Sequence, residues 1–192
     1  MPKKNTPSGW DAVQTALDSL VRETVLLQNM DTYTEAAQRE DTVRRLAGLS
    51  AAVYRLWRET NAALTHTFIT AVEREDVSLL LYRIAALADE LYQTALLWCG
   101  EPPAEGARWG RLLAQAVRRL QEWLVTWPEA GELRADDAVT ALFSLRRDAD
   151  RLWRELLLAP AAPSAVTAAL HRAVQDVARI ADTALWLSLK NT

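Results

Sequence analysis

The sequence predicts an all-α protein, built as an elongated bundle of six helices. Half of its 192 residues are hydrophobic, which is enough for one domain that buries about 70% of the surface of its unfolded chain. Long segments rich in Ala, Leu, Arg and Glu alternate with short stretches that hold the glycines and prolines, and runs of β-branched residues are scarce. We therefore expect helices throughout and no sheet.

Glycine and proline mark the ends of the predicted helices. The breaks are TPSG near the start, GEPPAEG at 100–106, PEAG at 128–131 and APAAPS at 159–164. A continuous second helix would be about 50 Å long at 1.5 Å per residue, so the bundle should be elongated. The predicted helices cover residues 9–30, 33–67, 72–99, 105–127, 133–158 and 164–190.

Apolar residues recur at the helical period in these segments, so each predicted helix has a face that must pack against its neighbours. In the third helix this stripe consists of Val77, Leu80, Leu81, Ile84, Leu87 and Leu91. In the fifth it consists of Leu142, Leu145, Ala149, Leu152 and Leu156.

An internal repeat divides the chain into two similar parts. The pentapeptide RLWRE occurs at 55–59 and again at 151–155, and the same offset aligns 83–85 with 179–181. We interpret this as a duplication of a three-helix unit, with the boundary at GEPPAEG. The predicted organisation is a flexible N-terminus at 1–8 and a single domain at 9–192, made of repeat units 9–100 and 101–192.

Composition excludes several classes of function. The net charge of −3, with both signs interspersed, argues against a nucleic-acid-binding protein. The single cysteine, Cys99, fits a reducing compartment, and the chain has neither a secretory leader pattern nor an apolar run of about 18 residues. We expect a cytoplasmic protein, with association at the inner face of the membrane as the peripheral alternative.

The stretch FITAVERED at 68–76 has a local structural explanation. Thr70 followed by Glu73 fits a capping box at the start of the third helix. Glu75 and Asp76 then lie in the first turn, where the helix dipole favours negative charge. Capping is the favoured interpretation of this acidic cluster, and a working site is the alternative.

The same stretch resembles the F-I-T-P-x-x-R-E-D signature of the PhoU-like family of phosphate-transport regulators, at Phe68, Thr70, Arg74, Glu75 and Asp76. Weaker similarity extends through DADRLWREL at 148–156 and ARIAD at 178–182. The resemblance implies a fold of two repeated three-helix bundles, which agrees with the helix count and the repeat. It also implies a cytoplasmic accessory protein of an inorganic phosphate transporter of the Pit type.

The resemblance further implies a metal site made by pairs of acidic residues four positions apart. The corresponding positions here are Ser50 and Tyr54, Ala85 and Asp89, Arg146 and Asp150, and Ala178 and Asp182. Only the second members of the last three pairs are acidic, so Asp89, Asp150 and Asp182 are the candidate ligands for Fe, Zn or Mg. Solvated aspartates, or partners for the many arginines, are the favoured interpretation, metal ligands are the alternative, and no cofactor is the default expectation.

Catalysis has no positive signal in the sequence. The two histidines, His66 and His171, are not preceded at three residues by the Glu that a di-iron bundle requires, and no glycine-rich phosphate loop occurs. The function that the resemblance implies is non-enzymatic regulation of phosphate transport by binding to a Pit-type transporter or another membrane-associated protein, with a homo-oligomer also open. The alternatives are a metal-binding PhoU-like protein and a helical adaptor unrelated to phosphate.

The eight tryptophans allow two interpretations. Trp57 and Trp153, related by the repeat, are predicted to anchor the cores of the two units. Five others lie near helix ends, where they either close the bundle, which is favoured, or face a partner or membrane. These five are Trp10, Trp109, Trp123, Trp127 and Trp186.

Overall fold

A computed structural model describes residues 9–64, 71–103, 105–126 and 137–190, and it places six α-helices and one 3₁₀ turn in them. The predicted all-α bundle is therefore confirmed, and each described helix boundary lies within four residues of its prediction. The second helix is 29 residues long, or about 44 Å. The helices are α1 (Gly9–Asn29), α2 (Ala36–Leu64), α3 (Ala71–Gly100), α4 (Gly106–Val125), α5 (Asp137–Leu157) and α6 (Ala165–Lys190), with the 3₁₀ turn at Met30–Thr32.

Local chemistry explains where several helices begin. Ser164 precedes α6, and its hydroxyl oxygen accepts a hydrogen bond from the backbone N–H of Thr167 at 3.2 Å, as an N-cap does. Glu105 precedes α4 with a φ of 60°, a left-handed conformation that follows the two prolines of the break. Asp137 places a carboxylate in the first turn of α5.

Helices α1 to α3 contact one another, and so do α4 to α6. We call these two groups the N-terminal half and the C-terminal half. The halves meet along two seams, because α1 packs on α4 and α3 packs on α6. The flexible N-terminus and the division into repeat units stay predictions.

Two glycines on α4 allow the close approach of neighbouring helices, Gly110 that of α1 and Gly106 that of α3. A Cβ atom at Gly110 would lie 3.1 Å from the Cα of Gln28, and one at Gly106 would lie 3.0 Å from the ring of Trp98. Gln121, near the other end of α4, donates a hydrogen bond of 2.5 Å to Asp18. The contacts of Gly110 with Gln28 and of Gln121 with Asp18 make α1 and α4 antiparallel neighbours along most of their length.

The position of α1 between three helices leaves only a narrow exposed strip on it. Most of its apolar residues are completely buried, and they belong to one core that runs through both halves. The exposed residues recur at three- and four-residue steps along one line. They are Asp11, Thr15, Asp18, Arg22, Val25 and Asn29.

Candidate functional site

The family-like stretch coincides with the start of α3. This helix begins at Ala71, directly after Thr70, the predicted cap residue. Phe68 and Thr70 lie outside the described residues, as do the side chains of Glu73 and Arg74. Of the remaining motif residues, Glu75 is exposed and Asp76 is buried. The capping box therefore stays a prediction.

The first two implied metal-site pairs meet in one groove between α2 and α3, which we call the α2–α3 groove. Ser50 and Tyr54 line it from α2, and Ala85 and Asp89 line it from α3. Its volume is about 550 Å³, and tyrosine side chains extend along it from Tyr54 to Tyr92. The structure thus brings these four positions together, but only Asp89 carries a carboxylate among them.

Glu23, a residue that the sequence did not single out, lies fully buried on α1 near Asp89. Its side chain is 0% exposed, and neither carboxylate oxygen has a hydrogen-bond partner in the described structure. Burial, with a smaller contribution from the negative charge of Asp89, raises the pKa of Glu23 to about 9. Glu23 is therefore a neutral carboxylic acid at pH 7, held inside the N-terminal half.

Asp150 belongs to a polar cluster at the junction of α5 and α6. Its Oδ1 atom lies 2.9 Å from Nε2 of His171 and accepts a hydrogen bond of 2.6 Å from Gln175. The imidazole stacks on Trp153, with ring centroids 5.0 Å apart and planes within 3°, and contacts the edge of Trp109. Asp150, a predicted metal ligand, thus has partners within the protein. The sequence did not indicate that His171 would be one of them.

Asp182 is exposed on α6, with Arg146 half-buried on α5 and Ala178 buried on α6. Across the described ranges, no group of three or more His, Cys, Asp or Glu side chains is placed to hold a metal ion. The side chains at the eight implied positions therefore do not fit a multinuclear cluster, because they include two methyl groups and a guanidinium. Binding of a single Fe, Zn or Mg ion by Asp89, Asp150 or Asp182 stays a prediction.

Glu90 and Asp176 form a pair of carboxyl groups at the α3–α6 seam, where the two halves meet. Glu90 on α3 accepts a hydrogen bond of 3.3 Å from Arg172 on α6, and Asp176 accepts one of 2.5 Å from Arg179. Burial, and then the hydrogen bond and charge of Asp176, raise the pKa of Glu90 to about 7, although Arg172 opposes the shift. Glu90 therefore titrates near neutral pH.

The geometry offers little for covalent chemistry. Burial raises the pKa of the Cys99 thiol, with Glu40 adding to the shift and Arg39 opposing it, so the reactive thiolate is disfavoured. The His171 ring is enclosed by two tryptophans and bonded to Asp150, which leaves the pair as a packed structural unit. Within the described ranges, no helix is both long and apolar enough to cross a membrane.

The tryptophans near helix ends differ in exposure, and Trp127 lies outside the described residues. Trp109 and Trp123 are buried in the core, as the favoured interpretation predicts. Trp57 and Trp153 are partly buried and pack against the core. Trp186 on α6 is 57% exposed and provides an aromatic surface near one end of the bundle.

Comparison with known proteins relates this arrangement to two solved structures, both of proteins from Shewanella oneidensis MR-1. A PhoU-like protein superposes with a TM-score of 0.62 at 17% identity, over 95% of this chain and 100% of the other. A protein described as a PhoU-like phosphate regulatory protein superposes with a TM-score of 0.56 at 20% identity, over 95% and 96%. No protein-family model and no curated protein matches the chain. The resemblance noted at 68–76 is thus confirmed in the fold, and the chain has the PhoU-like fold.

Proposed function

We propose that this protein is a regulator of inorganic phosphate transport that acts by binding a Pit-type transporter at its cytoplasmic side. The observation that carries the proposal is the extent of the fold similarity. It covers 95% of the chain and almost the whole of a solved protein described as phosphate-regulatory. The family-like signature at 68–76 supports the same assignment from the sequence.

The chemistry of the candidate site favours binding over catalysis. Asp150 and His171 engage each other and Gln175, and the Cys99 thiol is held in its protonated form. A non-enzymatic regulator needs no activated nucleophile, so these arrangements agree with such a role. The regulator would shift the transporter towards the conformation to which it binds more tightly.

Apolar surface suitable for contacts is present at the ends of helices. Leu157, the last residue of α5, is 54% exposed, and Leu158, which follows it, is 87% exposed. Exposed leucines of this kind provide apolar area that a partner could bury. These positions are therefore consistent with a protein that works through contacts with another protein.

Uptake of radiolabelled phosphate tests the proposal. We expect removal of the protein from cells that encode it to change the initial rate of uptake, and we expect the tagged protein to co-purify with the transporter. The matched control is a strain that lacks the transporter, in which removal of the regulator should have no further effect. Unchanged uptake together with absent co-purification would exclude the proposed function. Co-purification with a different membrane protein would favour the adaptor alternative.

A further inference from the structure

A second groove, on the other side of α2, is apolar in its walls and positively charged at its rim. We call it the α1–α2 groove. It has a volume of about 560 Å³ and is open to solvent along the exposed strip of α1. Its apolar lining consists of Val21, Val25, Leu26 and Leu49, and its two charged residues are Arg22 and Arg45.

The two arginines have no acidic partner in the described structure. The carboxylates one helical turn earlier keep their negative charge, but their contacts in the described structure are with other residues. Asp18, four residues before Arg22, accepts a hydrogen bond from Gln121. Asp41, four residues before Arg45, pairs with Arg44 at 3.3 Å. The rim of the groove therefore presents two guanidinium groups that form no ion pair in the described structure, beside apolar surface.

Gly48 lies between these groups, in the interior of α2. Glycine weakens a helix relative to alanine, so an interior glycine calls for a reason. At Gly110 the reason is the closeness of α1, because a Cβ atom there would lie 3.1 Å from the Cα of Gln28. A Cβ atom at Gly48 would meet nothing within 4 Å in the described structure. Gly48 thus leaves space in the groove that the described side chains of this chain do not fill.

We infer that the α1–α2 groove is the docking site for an amphipathic helix of a partner protein, which presents acidic residues to Arg22 and Arg45. The inference rests on the proposal that the protein acts by binding another protein, and it adds the surface and the chemistry of the partner. The charge of the rim selects acidic residues, and the apolar walls select one apolar face. The absence of a side chain at Gly48 accommodates the backbone of the docked helix.

The shape of the groove favours a helix over an anionic lipid. The lining residues span about one to one and a half helical turns on α1 and about one turn on α2, which suits a few apolar side chains at helical spacing. Val25 and Gly48 are exposed, so an acyl chain would be covered on one side only. A helix would close the groove with its own body and bury its apolar face in the same contact.

Photo-crosslinking in cells tests this inference on the full-length chain. The probe is p-benzoylphenylalanine in place of Val25, and crosslinked peptides are identified by mass spectrometry. We expect an adduct with an amphipathic segment that carries Asp or Glu within about one helical turn of the crosslinked residue. We expect its yield to fall at least tenfold in the Arg22→Glu/Arg45→Glu variant, and to recover when the acidic residues of the partner are replaced by Arg.

A second variant separates blocked docking from misfolding. Gly48→Gln places a side chain in open space, so it should leave the thermal unfolding midpoint of the isolated protein unchanged or higher while it lowers the crosslinking yield at least tenfold. The matched control is Ala86→Gln, which adds the same side chain to the α2–α3 groove instead. That control should crosslink as efficiently as the protein with alanine at position 86.

Other outcomes would overturn the inference. These are an adduct with the mass of a phospholipid, an adduct with a second copy of this chain, an adduct with a segment that lacks acidic residues, or no adduct. The fate of the proposed function is read separately. An acidic helix from a protein unrelated to phosphate transport would uphold the docking site and exclude the transporter. Co-purification with the transporter, without an adduct at position 25, would exclude the docking site and uphold the transporter as the partner.

Discussion

The two halves of the molecule differ in whether the polar side chains at their candidate sites have hydrogen-bond partners in the described structure. In the C-terminal half, the partly exposed side chains of Asp150, His171 and Gln175 hydrogen-bond to one another beside two tryptophans. In the N-terminal half, Glu23 is completely buried and its carboxyl group has no hydrogen-bond partner in the described structure. A buried polar group without a partner lowers the stability of the folded state. The comparison therefore assigns a stabilising polar cluster to one half and a destabilising carboxyl group to the other.

Replacement of Glu23 should produce the largest change. Its pKa of about 9 in the folded protein lies above the ordinary value of 4.5. The free energy of unfolding is therefore highest below pH 4.5, where the carboxyl group is protonated in both states, and it falls as the pH rises towards 9. At pH 7 the loss corresponds to about 3 kcal/mol, from 2.5 pH units at 1.36 kcal/mol each. We expect Glu23→Met to raise the free energy of unfolding by about that amount, measured by urea denaturation.

The pH dependence distinguishes this effect from a general gain in packing. The benefit of Glu23→Met should shrink as the pH is lowered from 9 to 4.5, where the carboxyl group is protonated in both states. Glu59→Met, at an exposed position on α2, is the control and should change stability little at any pH. A benefit at Glu23 that stays constant with pH would contradict the assignment.

Disruption of the polar cluster in the C-terminal half should lower the free energy of unfolding, opposite to the effect at Glu23. His171→Ala removes the contact with Asp150 and the stacking on Trp153, so we expect a loss of about 2 kcal/mol. His171→Phe keeps an aromatic ring on Trp153 and should lose about half as much. Urea denaturation of the two variants would measure both losses. A change below about 0.5 kcal/mol for His171→Ala would remove the contrast between the halves.

Glycine-to-alanine substitutions compare an occupied helix face with an open one. Gly110→Ala should lower stability by about 1–3 kcal/mol, because its Cβ would lie 3.1 Å from the Cα of Gln28. Gly48→Ala should raise stability by about 0.5–1 kcal/mol, because nothing lies within 4 Å of its Cβ. Thermal unfolding of the two variants measures the direction of each stability change. A loss at position 48 would indicate an intramolecular contact there.

Titration of the seam between the halves should have the smallest effect. The pKa of Glu90, about 7, is raised above 4.5, so stability should fall as the pH rises from 4.5 to 7. Because the pair is partly exposed and Arg172 opposes the shift, we expect less than about 1 kcal/mol from this group. Glu90→Gln should flatten this part of the pH profile, whereas Glu155→Gln, at an exposed ion pair, should leave it unchanged.

Most of the fold was predictable from the sequence, because glycine and proline mark the breaks and apolar residues mark the buried faces. The 3₁₀ turn at Met30–Thr32 and the later start of α2 at Ala36 are the main differences, since no glycine or proline marks that junction. Similarity at Phe68 to Asp76 indicated the fold that the comparison with solved structures confirms. The capping box itself lies outside the described side chains.

The candidate site was less predictable, because its important groups depend on contacts between distant helices. Asp150 was identified, but its partners His171 and Gln175 lie on the following helix, and no local pattern joins them. Glu23 follows Arg22 and resembles an ordinary polar residue of an amphipathic helix. The available signal was the spacing of polar residues in α1, which recur with Val25 at three- and four-residue steps along one line. Glu23 lies beside that line, which places it towards the buried face.

The central position of α1 has a consequence during synthesis. The face of α1 that contacts α4 is made early, whereas its partner emerges from the ribosome only after α2 and α3. Until then this apolar face has no native cover, and the nascent chain must keep it from non-native contacts. The final packing of the N-terminal half therefore waits for the first helix of the C-terminal half, so a chain truncated before Gly106 should be prone to aggregation.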